Sequence, residues 1–239
     1  KLNLSQLVVR RAAILEVLHL AIEKALPAQN TQKKRSDEKF IHNILFPTGK
    51  DTNDTQNHDI WLLNEEYQYF DYIASDKALS SFKLEGAALF DDTVDKELKA
   101  ILNRIYKGNA DGRRPDIAIF SKEGAAIIIE LKAPGVSLDE HTADLAEYAT
   151  LLALKSNGKL RRFYGYLLGD TLNPIRLSDL YTRFPNNPNS WFATQRIKDP
   201  RNDSSIGSLY SEILFYNDIV DRASKRLEVY KKRIGLEFR

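Results

Sequence analysis

RPDIAIFSKEGAAIIIELKAPG, residues 114–135, reads as two apolar strands joined by a tight turn, with three charges at positions that look buried. Ile117 and Ile119 alternate with Asp116, Ala118 and Phe120, so the two sets face opposite sides of a strand. In the second strand Ile127, Ile129 and Leu131 share one face, and Ile128, Glu130 and Lys132 share the other. The turn is SKEGA, where Gly124 suits the left-handed position that ends a three-residue hairpin loop. That loop sets Ser121 opposite Ala125, and counting back pairs Asp116 with Glu130, their Cβ atoms roughly 5 Å apart. Two carboxylates placed directly opposite repel, so the pair makes sense with a cation between them. Hard oxygen ligands at this spacing suit Mg²⁺ or Mn²⁺. Lys132 lies on the same face, where an ammonium can hold an attacking water or stabilise charge developing on a phosphate. The residue types alone leave a second reading open, in which the three charges form a half-exposed surface ion pair.

Outward from the hairpin, Ser137 and Glu140 predict a capping box opening a helix to about Asn157, with Gly158 as its stop. RRFYGYLLGD follows as an apolar strand, so strand, helix and strand predict a right-handed parallel crossover. Upstream, Leu4, Leu7, Val8, Leu15, Leu18 and Ile22 share one face of a helix running to about Leu26. The polar stretch AQNTQKKRS reads as a linker, and Ser36 opens a short helix ending near Pro47. TGKDTNDTQNHD is a loop by composition, residues 61–73 fit helix or strand, and residues 91–108 read as helical. Residues 180–195 read as irregular, before ILFYNDIV and a closing basic helix. The pattern predicts an α/β domain over 36–239 with a mixed central sheet, preceded by a helical arm and linker over 1–35.

The 239 residues carry 28% charged and 43% hydrophobic side chains, an ordinary globular composition able to bury a substantial core. No apolar run approaches the roughly 20 residues that span a bilayer, and no membrane association is expected. Cysteine is absent, which excludes disulfides and thiolate metal sites and suits a cytoplasmic location. A net charge of +2 means that any nucleic-acid contact comes from local patches. Candidate patches are Lys33, Lys34 and Arg35; Arg113 and Arg114; Arg161 and Arg162, with the latter two pairs expected to flank the charged sheet; and Lys225, Arg226, Lys231, Lys232 and Arg233. The four histidines are scattered, and His42 reads as structural. Asp71 and Asp76 read as turn or capping residues. Neither a phosphate-cradling GxxxxGK[ST] loop nor a GxSxG nucleophile is present. Methionine is absent, the expectation for a segment of a longer polypeptide.

Pro115-Asp116 followed by Glu130-Leu131-Lys132 resembles the PD-(D/E)XK nuclease superfamily. The series SQLVVRRAAILEVLHLAIEK, EKFIHNILFPTGKD, HDIWLLNEEYQYFDYIASDKAL, RPDIAIF, IIIELKAP, FYGYLLGD and DRASKRLEVYKKRIGL narrows the likeness. It is similar to the C-terminal region of bacterial proteins that join a GHKL-type ATPase to such a nuclease-like domain. The resemblance implies a restriction-endonuclease-like core: helix, three-stranded meander, helix, strand. It further implies an Mg²⁺- or Mn²⁺-dependent endonuclease hydrolysing DNA, double-stranded DNA favoured, as the effector of an ATPase-containing protein in defence against foreign DNA. Asp116, Glu130 and the Leu131 carbonyl carry over as metal ligands and Lys132 as the catalytic lysine. Glu38 is the candidate acidic residue of the first core helix, where it would permit a second metal. ADLAEYA lacks the glutamine that some members carry in the helix after the lysine. The competing expectation is an inactive nuclease-fold module for DNA binding or oligomerisation, against which the joint presence of Asp116, Glu130 and Lys132 argues.

Overall fold

The computed structural model describes residues 2–29, 35–77, 81–84, 87–90, 114–121 and 123–235. The expected helix over 91–108 and the cations Lys33, Lys34 and Arg113 lie outside these residues, as does the side chain of Arg35. The sheet begins with β1 (Tyr72–Ser75), and β2 (Lys83–Leu84) and β3 (Ala87–Ala88) form a separate small hairpin. Four long or central strands follow: β4 (Ile117–Phe120), β5 (Ala125–Leu131), β6 (Arg162–Gly169) and β9 (Ser205–Phe215), with β7 (Thr182–Phe184) and β8 (Asn187–Lys198) preceding the last. The seven-stranded order is β1-β4-β5-β6-β9-β8-β7. Strands β1, β4 and β5 run antiparallel, β6 joins β5 in parallel, β9 joins β6 in parallel, and β8 and β7 return antiparallel. The protein is therefore α/β with a mixed sheet.

Register at the central hairpin follows from its turn. Gly124 adopts φ +76°, its N–H donates to the Ser121 carbonyl, and the Ser121 N–H donates to the Ala125 carbonyl. Ile117 pairs with Ile129, so Asp116, just before β4, comes opposite Glu130. Strand β5 is buried along nearly its whole length on both faces, the pattern of a central strand covered on both sides.

Helix α3 (Thr142–Lys155) packs Leu145, Tyr148, Ala149 and Leu152 against Ala118, Phe120, Ile128 and Leu167 on one face. Gly165 lets it approach, since a Cβ there would meet the Leu145 side chain at 3.0 Å. On the other face lie α1 (Leu2–Ile22), α2 (Arg35–Leu45) and α4 (Tyr216–Ile234). Leu18, Ile41, Trp61 and Tyr216 there share a core with Ile73, Ile117, Ile127 and Ile129. Buried Arg11 of α1 ties this layer together: it donates to both Glu65 carboxylate oxygens at 2.9 and 2.8 Å and stacks 4.5 Å from the Trp61 ring. Among the described residues no helix is long and apolar enough to cross a membrane.

Several local expectations need correction. Residues 61–73 resolve into two 3-10 turns, Ile60–Leu62 and Glu65–Tyr69, followed by β1. Ser137 makes no cap hydrogen bond; its hydroxyl donates to Asp139, which also accepts from Asn173 N–H, and a 3-10 turn precedes α3. The helix then ends at Lys155, because Asn157 as well as Gly158 takes a left-handed conformation. Residues 180–195 are not irregular: β7 and most of β8 occupy them, and β8 is held between β7 and β9. Their Pro and Asn content belongs to the turn and to the part of β8 that precedes its pairing with β9 at Trp191.

Gly124→Ala should destabilise the chain by roughly 2 kcal/mol or more, because the left-handed φ disfavours a Cβ and that Cβ would sit 2.6 Å from the Lys159 carbonyl oxygen. Urea unfolding checks this as a lower midpoint at unchanged slope.

Candidate active site at the end of the central hairpin

Three elements deliver charged side chains to the carboxyl end of β5. Asp116 sits at the bend entering β4, with its carbonyl accepting from Asp76 N–H at 3.0 Å. Its carboxylate accepts from Leu131 N–H at 2.7 Å, which crosses from one strand to the other and fixes the side chain against β5. Glu130 is only 6% exposed, and one of its oxygens accepts from Lys132 Nζ at 2.7 Å. Lys132 lies just past the strand; its N–H donates to the Leu168 carbonyl, and its carbonyl accepts from the Tyr216 hydroxyl at 2.7 Å. Glu38 reaches in from α2 and accepts from Ala133 N–H at 3.2 Å. All of the residues singled out from sequence are thus brought to one strand end, with Glu38 holding the backbone just beyond Lys132.

Three further residues join them. Asp144, in the first turn of α3, lies 3.7 Å from Lys132 Nζ and 3.1 Å from His141 Nδ1. Asp170, at the end of β6, accepts from Gly135 N–H at 2.7 Å. Tyr216 opens α4. Asp144 had a legible signal, since the first turn of the helix after a charged strand end is where a side chain can reach back to it. Tyr216 and Asp170 carry none, because docking of α4 places the first and strand pairing across the sheet places the second.

Electrostatics mark the cluster as short of positive charge. Burial, and then the Glu130 charge, push the Asp116 carboxyl well above its ordinary range. Burial likewise raises Glu130 to about 7 against the pull of Lys132. Burial lowers the Lys132 pKa, but Glu130, Asp116 and Asp144 outweigh it and leave the ammonium held more firmly than usual. The second Glu130 oxygen, Oε2, is buried and has no hydrogen-bond partner among the described residues. An unsatisfied buried carboxylate oxygen is costly and calls for a proton or a cation. Among the described residues, however, no three His, Asp or Glu side chains converge closely enough to hold a metal by themselves. Asp116 and Glu130 offer two carboxylates, and Mg²⁺ is commonly held by one or two carboxylates with water completing its shell. On charge, oxygen type and the free Oε2, Asp116 and Glu130 fit such a cation.

Other expected features fall elsewhere. His42 is buried, 2.7 Å from the Ser75 hydroxyl, and also bonded to the Asp116 backbone, with burial pulling its pKa down to about 4. It is a neutral structural histidine beneath the Asp116 bend. Asp76 closes the turn after β1 at φ 44°, and exposed Arg114 donates to its carbonyl. Arg161 and Arg162 do not flank the site. Arg162 pairs with Ala125, five residues and so roughly 17 Å along the strand from Glu130. Arg226 leaves the basic face of α4 to donate to the Trp61 and Leu62 carbonyls at 3.0 and 2.6 Å. Comparison of the chain with protein-family models, curated proteins and solved structures found no match.

A carboxyl whose pKa is higher in the folded state binds a proton that the unfolded chain has released. Its contribution is full below the ordinary glutamate pKa near 4.3 and is lost as pH rises through the folded value, which for Glu130 is about 7. In metal-free buffer, Glu130→Gln should therefore raise the melting temperature relative to wild type at pH 8 more than at pH 5. An equal shift at both pH values would contradict the assignment.

Proposed function

We propose that this chain is a metal-dependent nuclease module hydrolysing DNA phosphodiester bonds, the effector part of a larger ATPase-containing protein acting in defence against foreign DNA. The observation that carries the reading is the placement of Asp116, Glu130 and Lys132 at one buried strand end with Glu130 Oε2 unpartnered. The element order around them supports a restriction-endonuclease-like core: α2, the antiparallel β1, β4 and β5, then α3 and the parallel β6. The ATPase partner and the defence role come from the sequence resemblance.

Asp116 and Glu130, with the Leu131 carbonyl, would hold Mg²⁺ or Mn²⁺, and Glu38 is the residue that would extend the set. Such an ion supplies charge neutralisation at the scissile phosphate and acidifies water. The chain's own residues do the remaining work. Lys132, kept protonated by Glu130 and Asp144, presents an ammonium where negative charge grows on phosphorus-bound oxygens. The Tyr216 hydroxyl and the Glu38 carboxylate clamp the backbone on either side of the Lys132–Ala133 peptide, so the ammonium starts from a fixed anchor. Burial of Glu130 strengthens its field at the reacting centre.

A second reading has its own observation. Lys132 Nζ rests directly on Glu130, and no three-ligand group is present among the described residues, an arrangement that also suits an inactive fold retained for DNA binding or oligomerisation. Supercoiled plasmid incubated with Mg²⁺ or Mn²⁺ separates the two. Cleavage should be abolished by chelation and reduced at least about 10²-fold in Glu130→Ala and Lys132→Ala, the scale of losing one charged catalytic group. Undiminished cleavage in both variants would remove the active-site assignment.

A further inference from the structure

Among the described residues, α1, α2 and α4 cover only one half of the sheet face turned away from α3. The core beneath those helices takes residues from β1, β4, β5, β6 and β9 and none from β7 or β8. On the open half lie four aromatic rings that belong to neither hydrophobic core: Tyr164, Tyr210, Phe192 and Phe184. Tyr164 is 40% exposed, although it sits in a strand whose other face is buried. The rings form a continuous row. Phe184 and Phe192 have centroids 4.7 Å apart, Phe192 and Tyr210 stack at 6.3 Å, and Tyr164 pairs directly with Tyr210 across the strands.

One step along the same face runs a second row of different chemistry. Ser208 of β9 is paired on one side with Arg162 of β6 and on the other with Arg196 of β8. Both arginines are exposed, as is Thr194, which pairs with Tyr210. Arg162 and Arg196 stand two residues, roughly 7 Å, from the level of Tyr164 and Tyr210, and Arg196 stands four residues from Phe192. The carboxylate on this face, Glu212, accepts from the Tyr210 hydroxyl at 2.7 Å and so orients a ring of the row. An apolar partner would use the rings but not the arginines. A partner with flat unsaturated faces and a regular line of negative charges uses both.

We infer that this open face is a binding platform for single-stranded DNA, with bases stacking on Tyr164, Tyr210 and Phe192 and phosphates meeting Arg162 and Arg196. Base stacking on exposed aromatic side chains beside a cationic track is how sequence-tolerant single-strand binding is achieved. From the functional reading the inference takes only that the nucleic acid is DNA. The platform lies apart from the charged end of β5 and needs neither Glu130 nor a metal.

The experiment is fluorescence anisotropy of a labelled mixed-sequence oligonucleotide of about 20 nucleotides, with the full chain in chelator, so that binding is read without cleavage. Tyr164→Ala should weaken binding roughly 5- to 100-fold, the range for losing one stacked base. Thr194→Glu, at an exposed position that carries no core contact, should weaken it comparably by placing an anion beside Tyr210 and two residues from Arg196. Arg162→Ala and Arg196→Ala should each lower the slope of log affinity against log salt by about 0.7. Circular dichroism should show all four folded. Wild-type affinity in Tyr164→Ala and Thr194→Glu would overturn the inference. So would duplex DNA or an RNA of the same sequence binding more tightly than the single strand and losing that affinity in Tyr164→Ala, or a concentration-dependent dimer of the chain that Thr194→Glu dissolves. Loss of plasmid cleavage in Glu130→Ala with single-strand binding intact would leave both assignments standing, since the two readouts are separate.

Discussion

The contact between Glu130 and Lys132, 2.7 Å long and nearly closed to solvent, sits at the point where every layer of the protein meets. A carboxylate this buried is tolerated only beside a compensating charge. One ammonium is shared here among Glu130, Asp144 and the nearby Asp116, so the strand end stays short of positive charge. The surroundings are arranged to hold that imbalance in place. Tyr216 from α4, Glu38 from α2 and the Leu168 carbonyl from β6 each bond the backbone within one residue of Lys132. Asp116 is fixed in turn by the Leu131 amide and by the Asp76 and His42 contacts to its own backbone. The core therefore sets the site by anchoring backbone, and the side chains project from it with little freedom.

That economy explains why the hairpin could be read from sequence while much of the sheet could not. The register rests on a five-residue turn in which Gly124 takes the left-handed conformation, a local constraint that needs no knowledge of the rest of the fold. From it the opposition of Asp116 and Glu130, and the common face with Lys132, follow by counting. Strands β7, β8 and β9 depend instead on long-range pairing. Pro185 and Asn186 form the β7–β8 turn, and the strand that follows shows itself only once β9 is available to pair with Trp191 through Lys198. Tyr216 enters the site only because α4 docks where it does. Arg162 lies in the sheet at the Ala125 end of β5, away from Glu130, because adjacency in the chain to a central strand says nothing about which end of that strand a side chain occupies.

The two faces of the sheet also divide labour. The α3 face is closed by apolar packing and aromatic rings such as Phe82, Phe90 and Phe120. The opposite face is closed over the charged strand end but open over β8 and β7.

The central claim, that the charges at the end of β5 form one cation-binding site, is tested most directly by calorimetric titration of the chain with Mn²⁺ near pH 7 in buffers of different ionisation enthalpy. Binding should be saturable and should release protons, because an entering cation takes over carboxyl oxygens that burial holds partly protonated. It should be lost in Glu130→Ala. Absence of saturable heat in the wild-type chain, or binding with no proton release and no dependence on Glu130, would contradict the account.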